Sequence, residues 1–443
     1  MASYNLGHTP DGHPVAIAAR FAARHGLIVG ATGTGKSYTI ARLAEQMTAA
    51  GVPVCLLDVK GDLSGLARSI PCQFYAPEGG AAGGPFSIRA DDLGPDAMAR
   101  ALQLSDAQAG ALDILYAWAS DRRRRMGSLA EVQAACLALE RDRRVASARY
   151  GHISPASLGV IRRALLRLER APCQPLGGTS FDVAALLCPG VATILDARRL
   201  YEAPALYGAA VLYLLDSLWR RLPEIGDTGA PRLALVIDEA HLLFAELPPA
   251  LISRVERIVR LIRSRGVALY FASQSPADIP GPILAQLGNR IQHGLRGATP
   301  ADLRAIRAAA DTMPVNPAVD AGAEIVRLGV GQALVSVIGA NGVPMPVEIA
   351  QIAAPRAKLS PVDGIERVPF ILAAPSAESA SDGELRRSER PHPGFLIIRL
   401  GFAALALAWT AICGVEAADS GDWSGYFILW IGMPLFLLLR GRL

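Results

Sequence analysis

The stretch GATGTGKS, Gly30–Ser37, constrains this chain more than any other. It fits the pattern G-x-x-x-x-G-K-S/T and lies between an apolar run, GLIV, and a helix-forming run, SYTIARLAEQMTAA. Glycines let backbone N–H groups close around phosphates, and the N-terminus of the following helix favours their negative charge. The sequence therefore predicts a phosphate-binding loop between a strand and a helix. A glycine-rich turn that matches by chance is the alternative.

Two side chains of this loop have expected roles. Lys36 would reach the β and γ phosphates of ATP, and the hydroxyl of Ser37 would bind Mg²⁺. ATP and Mg²⁺ are therefore the expected ligands. The predicted ATP-binding residues are consecutive: Gly30, Ala31, Thr32, Gly33, Thr34, Gly35, Lys36, Ser37 and Tyr38.

Short apolar runs in the first 350 residues are typical of β-strands. Several are almost continuous Val, Ile and Leu, the pattern of parallel strands that are buried on both faces. Helical patterns lie between many of them, and this alternation predicts an α/β fold with a doubly wound, mainly parallel sheet. The predicted strands are residues 26–29, 52–58, 72–75, 191–196, 233–238, 267–273, 290–296 and 332–338.

One segment, residues 93–171, interrupts this alternation with one helical pattern after another, so we predict an all-helical insertion there. Its run of four arginines, Arg122–Arg125, is typical of a solvated helix end. Residues 1–92 and 172–355 are then the two parts of the α/β core. Residues 356–394, which include a Pro-, Ser- and Ala-rich stretch, are predicted to be a linker.

Two apolar runs within residues 395–439 predict a transmembrane helical hairpin. The first, residues 395–415, contains one charge, Arg399, and as a helix would span ~31 Å, enough for the hydrocarbon core of a bilayer. The loop between the runs has no Lys or Arg, whereas arginines flank both outer ends. The positive-inside rule therefore places both ends in the cytoplasm. A buried helical pair that closes the soluble domain is the alternative.

Composition limits the remaining possibilities. The chain is 51% hydrophobic and 19% charged, so it can bury a sizeable core and is not disordered throughout. A net charge of +4 permits a nucleic-acid or anionic-membrane partner without requiring one. The six cysteines lack metal-ligand spacing, which indicates core residues in a reducing compartment, and we predict no structural metal. The N-terminus lacks the residue order of a secretory signal.

A pair of acids, Asp238 and Glu239, follows the apolar run LALVI. An acid at the carboxyl edge of a parallel sheet faces a bound nucleotide, so Asp238 is expected to hold Mg²⁺. Glu239 can orient and deprotonate the attacking water, which favours hydrolysis. An N-capping role for Glu239 is the alternative. The letters DEAH suggest a superfamily-2 helicase, but the surrounding sequence lacks that group's other motifs.

Polar residues also mark the next predicted strand, VALYFAS. Gln274 follows it, where an amide can sense the γ-phosphate or hold the lytic water; a strand-end cap is the alternative. The preceding helix carries an arginine row that ends at Arg263. Because this helix leads directly into the Gln274 strand, we expect its end to lie near the nucleotide edge. An arginine there could act on a neighbouring subunit's ATP, although such rows are usually solvated or salt-bridged.

The chain resembles the HerA-like ATPases of the HerA/FtsK superfamily, in the bacterial "helicase HerA-like" branch, over roughly residues 5–355. The resemblance implies a RecA-like P-loop NTPase core, ATP hydrolysis, a homo-hexameric ring and, as in better-known relatives, pumping of double-stranded DNA. The segments that carry it are RHGLIVGATGTGKS, VPVCLLDVKGDLSGL, VIDEAHLLF, RLIRSRGVALYFASQSPADIP and LAQLGNRIQHGLR.

The same resemblance implies roles for individual residues. Lys36 and Ser37 match the phosphate loop, Asp238 and Glu239 match the metal-binding and basic acids, and Gln274 matches a sensor. Arg263 matches a finger that acts on the neighbouring subunit's ATP, with Arg265 as the second candidate and Arg290 as a further residue that faces nucleotide. The motif DVKGD contributes Asp58, Lys60 and Asp62 near the site, without an assigned role.

These expectations combine into one hypothesis and two alternatives. The hypothesis is an ATP-hydrolysing DNA motor whose cytoplasmic ATPase domain is tethered to the inner membrane by the C-terminal hairpin. The first alternative is a membrane-anchored ATPase that drives protein or conjugative transfer. The second is a slow nucleotide-operated switch, which the paired acids and Gln274 disfavour.

Overall fold

A twelve-stranded sheet runs through the part of the chain that the structure describes. This computed structural model describes residues 2–362 apart from positions 78, 80–82, 172, 174, 178, 246 and 298. The strands are β1 (Ser3–His8), β2 (Pro14–Ala18), β3 (Gly26–Val29), β4 (Val54–Asp58), β5 (Cys72–Ala76), β6 (Gly84–Pro85), β7 (Ala192–Asp196), β8 (Leu233–Ile237), β9 (Val267–Ser273), β10 (Asn289–His293), β11 (Gln332–Ser336) and β12 (Glu348–Ile352).

The strand order is β2-β1-β12-β11-β10-β3-β9-β8-β4-β7-β5-β6. Neighbours from β10 through β6 are parallel, whereas β11, β12, β1 and β2 form an antiparallel wing. Parallel neighbours present their carboxyl ends at the same edge of a sheet. The loops that follow β3, β9, β8 and β4 therefore meet at one edge, which we call the carboxyl edge.

Helices cover both faces of the sheet or extend from it. The two that matter most for the site are α2, which follows β3, and α12, which precedes β9. The helices are α1 (Ala19–Ala22), α2 (Lys36–Ala49), α3 (Ala90–Leu93), α4 (Pro95–Ala101), α5 (Asp106–Asp121), α6 (Leu129–Arg141), α7 (Arg143–Tyr150), α8 (Pro155–Glu169), α9 (Arg198–Tyr201), α10 (Pro204–Arg221), α11 (His241–Phe244), α12 (Pro249–Ile262), α13 (Gly281–Leu284), α14 (Pro300–Asp311) and α15 (Ala321–Arg327).

The central strands are apolar at nearly every position because both of their faces are buried. Along β4, Val54 and Leu56 enter one hydrophobic core, whereas Cys55 and Leu57 enter the other. Side chains alternate between the faces of a strand, so a sheet that is covered on both sides needs an unbroken apolar run. Each fully buried Val, Leu or Ile stabilises the fold by about 1.5–3 kcal/mol relative to an exposed one.

The predicted α/β class with a mainly parallel sheet is confirmed, and every predicted strand is present within a few residues of its predicted bounds. Sequence reasoning missed the short β6 and three of the four wing strands, namely β1, β2 and β12. Residues 90–169 are largely helical, from α3 to α8. The exact division of the chain into core, helical insertion and linker stays a prediction.

Two predictions concern the C-terminal part. The predicted hairpin at residues 395–439 lies outside the described residues. Among the residues that are described, no helix is both long enough and apolar enough to span a bilayer. The first residues of the predicted linker lie against the core, where the backbone N–H groups of Arg356 and Ala357 donate to the buried carboxylate of Glu45 on α2.

Candidate nucleotide site

The glycines of the phosphate loop stand where other residues do not fit. Gly30 and Gly35 have φ angles of 154° and 120°. A Cβ atom on Gly30 would lie 2.5 Å from the Cβ of His293, so the loop needs the bare backbone there. The chain leaves β3 at Val29 and enters α2 at Lys36, which gives the predicted strand, loop and helix.

Lys36 is buried and folded back onto its own loop. Its Nζ donates to the carbonyl oxygens of Gly30 at 2.6 Å and Ala31 at 3.2 Å. Burial lowers the pKa of Lys36, and the nearby positive charge of Lys60 lowers it further. Of the other predicted ATP contacts, Ser37 is half-buried and Tyr38 is exposed. The remaining predicted loop residues are Thr32 and Gly33, which are exposed, and Thr34, which is buried.

A buried histidine fixes the start of α2, and sequence reasoning missed it. His293 ends β10, and its Nε2 lies 2.8 Å from the hydroxyl of Thr39, while its Nδ1 lies 2.9 Å from the carbonyl oxygen of Gln332. Because the carbonyl oxygen of Gln332 can only accept a hydrogen bond, Nδ1 of His293 carries the proton, and Nε2 accepts from the hydroxyl of Thr39. A histidine near the end of a predicted strand was the available signal.

The paired acids follow β8 at the same edge. Asp238 and Glu239 are 4% and 2% exposed. Glu239 has a φ of 47°, a left-handed conformation that is uncommon for a residue with a side chain. The backbone on either side is held in place, because Tyr207 donates its hydroxyl to the carbonyl of Asp238 and the N–H of Ala240 donates to Ala272. The carboxylate of Asp238 also accepts the N–H of Glu239.

The next strand, β4, brings the DVKGD motif to these acids. Lys60 Nζ lies 2.7 Å from Glu239 Oε1 in an ion pair. Asp58 is buried, and its carboxylate accepts the N–H groups of Gly61 at 2.7 Å and Ser64 at 3.0 Å, which fixes the turn that carries Lys60. The second Glu239 oxygen lies 3.3 Å from Nδ1 of His241, in a geometry that makes no hydrogen bond.

Burial sets the charge states at this edge. It raises the pKa of Asp58 to about 7, against the two amide hydrogen bonds, and the pKa of Asp238 to about 6, helped by the charge of Glu239. Burial also opposes ionisation of Glu239, but the hydrogen bond and charge of Lys60 outweigh it, so the pKa of Glu239 lies below its usual value. The same contact raises the pKa of Lys60, although burial opposes this.

The donor set at the edge fits Mg²⁺. The hydroxyl of Ser37 and the carboxylate of Asp238 are oxygen donors, which Mg²⁺ prefers, and Mg²⁺ usually completes its shell with substrate phosphates and water. Within the described residues, no group of three or more His, Cys, Asp or Glu side chains is arranged to hold a metal ion. A magnesium ion here would be held by Ser37 and Asp238, with nucleotide phosphates and water as further ligands.

Gln274 is exposed immediately after β9. In the sheet, β9 lies between β3, which leads into the phosphate loop, and β8, which leads into the paired acids. This order brings Gln274 to the carboxyl edge between the two motifs, where a sensor has to lie. The neighbouring Ser273 is instead committed to Asp278 through its hydroxyl.

The expected place of Arg263 is wrong. Its turn precedes Val267, the first residue of β9, whereas the phosphate loop is level with Ser273 at the far end of that strand. Six residue steps along a strand are about 20 Å, so Arg263 lies at the opposite, amino edge of the sheet. There it pairs with Asp227 at 3.2 Å.

The other two arginines are tied to the protein itself. The guanidinium of Arg265 lies 4.1 Å from the centre of the Trp219 ring and donates to the carbonyl of Leu222. Arg290 donates to the carbonyls of Leu284, Leu287 and Thr312. These contacts engage both arginines within their own subunit, and a nucleotide-facing role for Arg290 stays a prediction.

Two other arginines of the row on α12 are salt-bridged, which was the alternative to a role at the nucleotide. Arg254 pairs with Asp216 at 2.7 Å, and Arg260 pairs with Glu256 one turn earlier on α12. Such exposed pairs contribute little to stability, about 0–1 kcal/mol. The opposite face of α12, which carries Val255, Ile258 and Val259, packs into the core.

A phosphate loop after β3, paired acids after β8 and a polar residue after the intervening β9 define a P-loop ATPase site on an α/β fold. The chain belongs to the "helicase HerA-like C-terminal" family, whose pattern matches residues 3–75 and 68–388. The family resemblance inferred from the sequence is thereby confirmed. No curated protein matches the chain.

Solved structures show the same fold at low sequence identity. VirB4 of Thermoanaerobacter pseudethanolicus superposes with a TM-score of 0.58 and 17% identity, over 80% of this chain and 97% of that one. The bacterial conjugative coupling protein TrwB gives 0.56 and 18%, over 79% and 90%. The plasmid coupling protein TrwB in complex with ADP and Mg²⁺ gives 0.57 and 20%, over 80% and 91%.

Proposed function

We propose that this protein is an ATP-hydrolysing motor that acts on double-stranded DNA as a homo-hexameric ring. The observation that carries the proposal is the meeting of Lys36, Asp238 and Glu239 at one edge of the sheet, in a chain of the helicase HerA-like family. TrwB, which has a similar fold, binds ADP and Mg²⁺, and this supports ATP and Mg²⁺ as ligands here.

Each group at the edge has a role in this proposal. Lys36 and the loop amides bind the phosphates, and Ser37 with Asp238 holds Mg²⁺, which would neutralise phosphate charge. Glu239 accepts a proton from the attacking water, since a carboxylate near the γ-phosphate is the available base. Gln274 orients that water or senses the phosphate from the strand in between.

The proposed role of Arg263 as a finger requires a neighbouring subunit. At the amino edge of its own subunit, Arg263 cannot reach the nucleotide bound there. It can act only on a neighbouring subunit's ATP, so a finger at this position requires an assembly. The contact with Asp227 is at the surface, where an incoming phosphate can replace it.

A second candidate function is a membrane-anchored ATPase for conjugative or protein transfer. The specific observation in its favour is the similarity to VirB4 and to the conjugative coupling protein TrwB over about four-fifths of the chain. In either function, we propose a cytoplasmic ATPase core with a helical insertion at residues 93–171. We further propose a tether at residues 395–439 that attaches this core to the inner membrane.

The test is ATP turnover by the full chain with and without duplex DNA. Turnover that DNA stimulates supports the DNA motor. Turnover that DNA does not affect supports the second candidate, and an absence of turnover excludes both.

A further inference from the structure

The ion pair between Lys60 and Glu239 has no part in the functions assigned so far, although it occupies the proposed base. Oε1 of Glu239 is engaged by Lys60 at 2.7 Å, and Oε2 faces His241 within a buried pocket. An oxygen that is held by an ammonium group is not free to accept a proton from water. The other oxygen, Oε2, makes no hydrogen bond but is shielded from solvent, so neither oxygen of Glu239 is open to water in the site as described.

The contact is built so that only the side chain of Lys60 needs to move. Its turn is fixed by the carboxylate of Asp58, which accepts from Gly61 and Ser64, and by the left-handed Gly61 at a φ of 87°. The Lys60 side chain is 37% exposed, whereas Glu239 is 2% exposed and sits on a fixed backbone. Lys60 can leave the pair into solvent, but Glu239 cannot follow it.

The positive charge of Lys60 also acts on the phosphate loop, where it helps burial to lower the pKa of Lys36. It is close enough to Lys36 for the two charges to repel each other. An anion that arrives between them would relieve this repulsion and would compete with Glu239 for Lys60. The triphosphate of ATP is such an anion, and it carries more charge than a carboxylate.

The choice of lysine at this position is unusual for the chain. Only three of its 44 basic residues are lysines, namely Lys36, Lys60 and Lys358, and two of these lie at the nucleotide edge. Arginine holds a carboxylate in a rigid, forked contact, whereas lysine is a compact charge on a flexible stem. A residue that must change partners is better served by lysine.

We propose that Lys60 is a positioning residue that holds Glu239 while the site is empty and transfers to the terminal phosphate of ATP. The transfer frees Glu239 Oε1 to accept a proton from the attacking water. This inference rests on the proposed ATP hydrolysis at the same site. It adds that Lys60 exchanges one ionic partner, Glu239, for another, the terminal phosphate, so that ATP binding itself releases the base.

The test is a double-mutant cycle on nucleotide affinity with the full chain. The variants are Glu239→Gln, Lys60→Met and the two combined, and the ligands are a non-hydrolysable ATP analogue and ADP. With Lys60 present, Glu239→Gln removes the competing partner, so the analogue should bind on the order of tenfold more tightly. With Met at position 60, the same change should alter affinity by less than about twofold, and ADP should show no difference between backgrounds.

Lys60→Arg keeps the charge and should restore most of the coupling. Equal effects of Glu239→Gln in both backgrounds would overturn the proposal, because loss of carboxylate charge alone would then explain them. Equal coupling for ADP would also overturn it. A wild-type chain that binds no nucleotide would instead overturn the proposed function.

A second measurement does not depend on substitutions at the base. With only three lysines, the ¹³C-dimethylated protein gives few lysine signals, and Lys60→Met identifies the one from Lys60. That signal should move on addition of the ATP analogue and return towards its nucleotide-free position with ADP. A Lys60 signal that is the same with both nucleotides would contradict the exchange.

Discussion

At the scale of single residues, the site depends on a few side chains that are held in unfavourable states. Glu239 combines burial with a left-handed backbone, which costs on the order of 1–3 kcal/mol. The hydrogen bonds of the neighbouring backbone offset that cost and hold the carboxylate in its contact with Lys60. Strain of this kind is expected where a catalytic group needs one fixed direction.

Glu239→Gln should leave the fold intact, bind ATP at least as tightly as the wild type, and lower kcat by ~100-fold or more, because an amide cannot accept the proton from water. Steady-state turnover and ATP affinity measured on the same preparation check this prediction. Glu256→Gln, on the exposed side of α12, is the matched control and should turn over like the wild type. Wild-type turnover in Glu239→Gln would remove Glu239 from the role of base.

At the scale of elements, His293 ties strand β10 to helix α2, directly behind the phosphate loop. Burial lowers the pKa of His293 to about 4, so the imidazole is neutral in the folded protein. Between pH 6.5 and 4 the unfolded chain binds a proton there that the folded chain does not. The contribution of His293 to stability is therefore present above pH 6.5 and lost as the pH falls, by up to about 1.4 kcal/mol per pH unit.

His293→Gln keeps a donor and an acceptor at this position but removes the titration. Its deficit in the free energy of unfolding relative to the wild type should be largest near pH 7 and should shrink towards pH 4. Asp58 and Asp238, whose raised pKa values act in the opposite direction, are present in both proteins and cancel. Urea unfolding at several pH values measures this, with exposed His152→Gln as the control. Parallel curves would contradict it.

The sequence predicted these elements unequally, for physical reasons. The central strands were recognisable because burial on both faces requires a continuous apolar run, as in LALVI. The strand EIAQI of the wing was missed because Glu348 and Gln351 leave it without a continuous apolar run. Lys60 and Glu239 are far apart in sequence, and only the pairing of β4 with β8 brings them together. The expected position of Arg263 was wrong because a strand begins at one edge of the sheet and ends at the other. Arg263 precedes β9, whereas Gln274 follows it.

At the scale of the whole molecule, the proposed site combines groups from neighbouring subunits. Within the described part of the chain, the arginine proposed as a finger and the phosphate loop lie at opposite edges of one sheet. A ring places the amino edge of one subunit near the carboxyl edge of another, provided that neighbouring subunits have the required orientation. The proposed ring is the arrangement in which Arg263 can reach a nucleotide.

Arg263→Ala should lower kcat by ~10³-fold or more if it acts as a finger. Mixing it with a Lys36→Ala variant should restore part of the activity, because some interfaces then combine an intact loop with an intact arginine. Arg260→Ala, three residues earlier on α12, is the matched control and should keep its turnover. Absence of rescue in mixed assemblies would assign Arg263 a structural role.

The most direct test of the central claim is the ATP turnover of the full chain with and without duplex DNA across a salt series. A motor that grips the DNA backbone releases counterions, so its stimulation by DNA should be severalfold at about 50 mM salt and should fall steeply towards about 200 mM. That result would establish a DNA-directed ATPase. Turnover that is the same with and without DNA at every salt concentration would contradict the DNA motor and favour a protein-directed one.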